Sequence, residues 1–114
     1  MTTGILDMTV IEELRSLDDG EGEILKSIVT IFEESTVELL QELSDAVQAG
    51  EASRLALAAH SLKGSASNLG AVLLSAAALE LEKAGKTGEL SGTEEGILKA
   101  RQELSVALSC LHQV

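Results

Sequence analysis

The chain contains no proline, tryptophan or tyrosine, and Phe32 is its only aromatic residue. Strands draw on aromatic and β-branched residues, whereas Ala, Leu, Glu, Lys and Gln favour helices, so the deficit argues against a sheet. A single cysteine, Cys110, excludes an intrachain disulfide and offers a metal only one thiolate, which argues against a cysteine-built zinc site. Free cysteine packs as a small hydrophobe, so Cys110 is expected in the core. Long hydrophobic runs are also missing. None approaches the roughly 18 to 20 residues needed to cross a bilayer, and the first residues lack the charged-then-apolar pattern of a signal peptide. The expectation is a soluble cytoplasmic protein with no membrane insertion. Positive charge is scarce: 8 basic residues stand against 19 acidic ones, giving a formal net charge of −11. A nucleic-acid backbone would repel such a chain, so neither DNA nor RNA is an expected partner. The acidic excess reads as a solvated helical surface.

What is present is enough apolar material for one core. The chain has 114 residues, 45% of them hydrophobic, a length that buries about two thirds of its extended surface when folded. A single domain over residues 1–114 is expected. Apolar residues at helical spacing divide it into five segments separated by glycine-containing breaks. A short one, Leu6 to Leu17, carries Val10, Leu14 and Leu17 on one side and ends at Asp18-Asp19-Gly20. A long one, Glu23 to Ala49, carries a stripe of Ile24, Ile28, Ile31, Phe32, Leu39, Leu43 and Val47, with a possible irregularity at Ser35-Thr36. The third spans Glu51 to Leu69 and stops at Gly70; the fourth spans Ala71 to Ala84 and stops at Gly85. After a polar linker, Lys86 to Gly92, Ser91 or Thr93 can cap a fifth helix. Its first turn holds Glu94 and Glu95, and Ile97, Leu104, Leu108 and Leu111 face inward. The predicted fold is all-α: an antiparallel four-helix bundle with a short additional N-terminal helix.

The third segment carries the chemistry. At about 100° per residue, Leu55, Ala58, Leu62, Ala66 and Leu69 gather on one side, and His60 falls near the opposite side, facing solvent. Around it the wheel places Ser53, Ala56, Lys63, Gly64 and Ser67, an open platform with one cation. Glycine in mid-helix costs roughly 1 kcal/mol relative to alanine, and nothing in the helical pattern calls for a break at Gly64. The gain is close approach: a partner can reach the imidazole without meeting a Cβ. A neutral imidazole near pH 7 is a competent nucleophile toward phosphorus. A phosphoryl group on it would add a charge of about −1.5 to −2, which Lys63, one turn along, could offset as a point charge.

These residues resemble the signature of histidine phosphotransfer domains, His-x-Leu-Lys-Gly-Ser-small-x-x-Leu-Gly. His60, Leu62, Lys63, Gly64, Ser65, Ala66, Leu69 and Gly70 occupy its specified positions. The similarity extends to Leu6-Asp7, Phe32 and Leu81-Glu82, and so covers most of the chain. It loosens in the fourth segment, where Ala77 takes the place of a larger apolar residue and Leu73 and Leu79 stand where polar residues are common. The resemblance implies a phosphoryl carrier, not an enzyme, in a multistep two-component phosphorelay: His60 accepts the group from a receiver-domain aspartate and passes it to another receiver. It implies receiver domains of response regulators and hybrid histidine kinases as partners. No cofactor is expected in this chain; Mg²⁺ would be held by the receiver, because no phosphate-cradling glycine loop or magnesium cluster is apparent here. Lys63 and Gly64 would neutralise the phosphoryl group and admit the partner, with Ala56, Leu57, Ser61 and Ser67 as the flanking docking surface. A monomer is expected.

His112, outside any motif, is incidental. No histidine or carboxylate is placed to activate Ser61, Ser65 or Ser67, and no Glu-x-x-His spacing suggests a carboxylate-bridged metal pair. A helical binding module that is never phosphorylated is the alternative function. An acyl-type carrier would need a serine at the head of a helix, whereas these serines lie inside one.

Overall fold

The computed structural model describes residues 5–17 and 22–113. Five helices follow one another: α1 (Met8–Ser16), α2 (Glu23–Gln48), α3 (Ala52–Asn68), α4 (Val72–Thr87) and α5 (Thr93–Leu111). The expected stop at Asp18-Asp19-Gly20 lies outside the described residues.

Helix α2 packs against α3 and α5, and α4 packs against the same two, so the four long helices close into a ring. Short connections between consecutive members make neighbours antiparallel, as predicted. Leu40, Leu43, Leu55, Leu62 and Leu74 fill the centre, all fully buried. Deleting one such leucine would cost about 2–5 kcal/mol. Cys110 joins this core as expected. Among the described residues no helix is long and apolar enough to cross a membrane.

The buried stripe of α2 differs from the predicted one. Leu25, Val29, Phe32, Thr36, Leu40, Leu43 and Ala46 face the core, sharing only Phe32 and Leu43 with the expectation. Ile28, Leu39 and Val47 flank the stripe half-buried, and Ile24 and Ile31 are exposed. The pairs Ile24-Leu25, Ile28-Val29, Ile31-Phe32 and Leu39-Leu40 make the apolar arc wide, and apolarity alone does not fix its centre. Thr36 takes a core position because its hydroxyl is satisfied within the helix, 2.7 Å from the Phe32 carbonyl. The helix runs through Ser35-Thr36 without interruption.

Helix α1 buries Ile11, not the expected Val10 and Leu14, which are half-buried, or Leu17, which is exposed. Asp7 caps it by accepting from the Thr9 N–H at 3.0 Å. The residues just before α1 pair with the α3–α4 turn: the Asp7 N–H donates to the Gly70 carbonyl at 2.6 Å, and the Val72 N–H to that of Ile5 at 3.2 Å. Gly70 is required twice over, by its φ of +70° and because a Cβ there would lie 2.9 Å from the Asp7 carbonyl oxygen.

Two predictions at the ends of α4 and α5 are corrected. Gly85 does not stop α4, which continues to Thr87 and ends at a left-handed Gly88. Gly85 lies against α3, where a Cβ would meet the Ala56 nitrogen at 2.6 Å and the Ala52 carbonyl oxygen at 2.8 Å. The missing side chain brings two helix backbones together. At the start of α5 neither Ser91 nor Thr93 caps: Gly92 holds the N-cap position, Ser91 bonds Glu89, and buried Thr93 donates to the Leu90 carbonyl.

Candidate functional site

Burial of Leu55, Ala58, Leu62, Ala66 and Leu69 fixes one side of α3 against the bundle and turns His60 outward, as the helical wheel predicts. The His60 side chain is 66% exposed. The ring is not free, however. Its Nδ1 lies 2.8 Å from Oε2 of Glu82 on α4.

Glu82 is 4% exposed, yet it is charged because it is surrounded by donors. Lys63 places Nζ 2.8 Å from Oε1, and Lys86 places its own 3.3 Å from Oε2, the oxygen that also faces His60. The Lys63 hydrogen bond is the main cause that holds the Glu82 carboxyl down at about 2, against the opposing effect of burial; the His60 and Lys86 bonds add to it. An ionised carboxylate only accepts hydrogen bonds, so the imidazole must donate from Nδ1. In the neutral ring the lone pair is then on Nε2, the nitrogen turned away from Glu82. The arrangement has the logic of a carboxylate that orients a histidine and compensates positive charge developing on it.

The approach to His60 is open where the sequence suggested. A Cβ at Gly64 would find no atom within 4 Å, so no internal contact requires glycine there. Leu57 is 72% exposed, and Ser61 and Ser67 are exposed on the same helix. The Ser67 and Ser75 hydroxyls share a hydrogen bond of 2.9 Å, which links this face to α4. Ala56 is half-buried, with its backbone under Gly85, and contributes less surface than expected. The Lys63 ammonium, on the same face, is bound to Glu82. His112 is exposed on the last turn of the bundle. Among the described residues no group of three or more His, Cys, Asp or Glu side chains could hold a metal ion.

Glu82 and Lys86 were not identified from the sequence as site residues. Glu82 enters the resemblance only as part of Leu81-Glu82, and its contact with His60 spans 22 residues between two helices. The one local trace is the i,i+4 spacing from Glu82 to Lys86, which puts both on one face of α4.

Comparison with known proteins gives a consistent result. The family model described as Hpt domain matches residues 27–110. The chain is similar to the crystal structure of histidine-containing phosphotransfer protein B from Pseudomonas aeruginosa PAO1, with a TM-score of 0.88 and 33% identity over 97% of this chain and 94% of that one. A search of curated proteins returned no match.

Proposed function

The chain belongs to the histidine phosphotransfer family, and from that premise we propose that His60 is the residue on which it carries the phosphoryl group. The protein is a phosphorelay carrier, and its general partners are receiver domains. The observation that carries the assignment is the Nδ1 contact with ionised Glu82, which leaves Nε2 as the nucleophile on an exposed ring.

The chemistry follows from that tautomer. The Nε2 lone pair attacks the phosphorus of a receiver aspartyl phosphate as the P–O bond to the aspartate breaks, and its electron pair returns to the receiver carboxylate. Nδ1 keeps its proton throughout. The ring therefore acquires positive charge as the N–P bond forms, and Glu82 lies 2.8 Å away to compensate it. Transfer to a second receiver runs the same step backwards on the same nitrogen. In this reading Mg²⁺ would be held by the receiver and would neutralise charge on the transferring group. The chain itself supplies position, orientation and an accessible nitrogen, without catalytic machinery of its own. Partners would be response regulators and hybrid histidine kinases, met by a cytoplasmic monomer through Gly64, Leu57, Ser61 and Ser67.

The test mixes the full chain with a phosphorylated receiver domain and follows acid-labile, alkali-stable phosphate. The wild type should be labelled and His60→Gln should not. Label on His60→Gln, or none on the wild type with its cognate receiver, would overturn the assignment.

A further inference from the structure

Glu82 has two oxygens with unequal duties. Oε1 is bound by Lys63 at 2.8 Å, while Oε2 is shared between the His60 ring at 2.8 Å and Lys86 at 3.3 Å. The two lysines also differ in freedom. Lys63 has a side chain 31% exposed, whereas that of Lys86 is 69% exposed and its bond is the longer. With the ring neutral, the cluster of Glu82, Lys63 and Lys86 carries one net positive charge. A phosphoryl group on Nε2 would add about −1.5 to −2 and place its oxygens within the same small region.

We propose that Lys86 is the mobile cation of this site: it leaves Oε2 of Glu82 for the phosphoryl group when His60 is phosphorylated, and returns when the group departs. This rests on His60 as the acceptor. The exchange has two effects at once. The phosphoryl oxygens gain a cation, and Oε2 is left wholly to the Nδ1–H, whose ring is now positive and needs it more. Lys63 stays on Oε1 and keeps the buried carboxylate ionised. Loss of the acyl phosphate's favourable contacts in the receiver is thereby partly matched on this side, and the transfer equilibrium is drawn toward the carrier. The charged groups around His60 are few. Lys63 lies on α3 and Glu82 and Lys86 on α4; Lys83 is occupied by Glu80, and Arg54 by Glu42 of α2 and by Glu51.

The experiment compares the full-length wild type, Lys86→Gln, Lys86→Arg and His60→Gln. Each is mixed with a phosphorylated receiver, and the equilibrium distribution of phosphate is measured; ³¹P NMR then follows the second ionisation of the phosphohistidine against pH. Removing one exposed ion pair should move the equilibrium in Lys86→Gln toward the receiver on the order of two- to fivefold. The phosphoryl group should bind its second proton more tightly by a similar factor. Lys86→Arg should retain most of both effects. A Lys86→Gln variant that matches the wild type in equilibrium and in ³¹P titration would overturn the proposal while leaving His60 intact as the acceptor. Phosphate carried by His60→Gln would instead remove the reading on which it rests. Circular dichroism of Lys86→Gln should match the wild type, because the side chain is exposed; if the fold changes, Lys86→Met, which keeps the aliphatic stem, takes its place.

Discussion

Gly64→Ala should make the protein more stable and worse at its task. A Cβ at this position meets nothing within 4 Å, so the substitution carries no steric cost inside the molecule. What remains is the backbone effect: alanine in a helix interior is favoured over glycine by roughly 0.5–1 kcal/mol. At the upper end that is about a fivefold shift in the folding equilibrium, or about 4 °C in Tm for a chain of this size. Cβ atoms lean toward the helix N-terminus, so the new methyl would project toward His60, one turn earlier. A receiver bringing its aspartyl phosphate in line with Nε2 would have to stand off by a distance on the order of 1 Å. Misplacement of that size costs roughly a hundredfold in rate, and a partner that tilts to accommodate the methyl would lose less. Urea denaturation measures the first effect and quenched-flow transfer from a phosphorylated receiver the second. Loss of stability would mean that α3 needs glycine for an internal reason. Unchanged transfer would mean that the partner does not approach over Gly64, and the account of the open platform would fail.

Gly85→Ala makes the opposite case with the same substitution. Its Cβ would press on backbone atoms of Ala52 and Ala56 at 2.6–2.8 Å, so overpacking of about 1–3 kcal/mol should outweigh the gain in helix propensity, and thermal unfolding should show a lower Tm; an unchanged or higher one would refute the close packing of α3 and α4. Glu82→Gln should slow transfer, because an amide can also donate to the ring and no longer enforces the proton on Nδ1; long-range ¹H–¹⁵N spectra of His60 should show the two tautomers mixing, and a wild-type pattern would refute the orientation argument. The Glu82 carboxyl is held down at about 2, below its ordinary 4.5, and a carboxylate with a lowered folded-state pKa contributes stability that is complete above the unfolded value and is lost as pH falls through the folded one. Denaturation at successive pH values should therefore show the stability difference between wild type and Glu82→Gln shrinking across that window, with a constant difference as the contrary result.

What the sequence made legible was what a single helix can show. The period of Leu55, Ala58, Leu62, Ala66 and Leu69 places His60 on the outer face of α3, and the exposed ring follows from that alone. The same period misplaced the centre of α2, because adjacent pairs such as Ile31-Phe32 offer two apolar residues and only the packing of α2 between α3 and α5 chooses one. Contacts between helices were not legible at all. Gly64 and Gly85 both lie inside helices, the first exposed to solvent as its place in the α3 pattern implied, the second, which reads as a stop in the sequence, pressed against a neighbour's backbone. By letting α4 lie directly on α3 at Ala56, Gly85 sets the height at which Glu82, almost one turn earlier on α4, meets His60, just over one turn later on α3. The outward ring of His60 was visible from α3 alone, but the carboxylate that holds its Nδ1 became visible only with the helix pair.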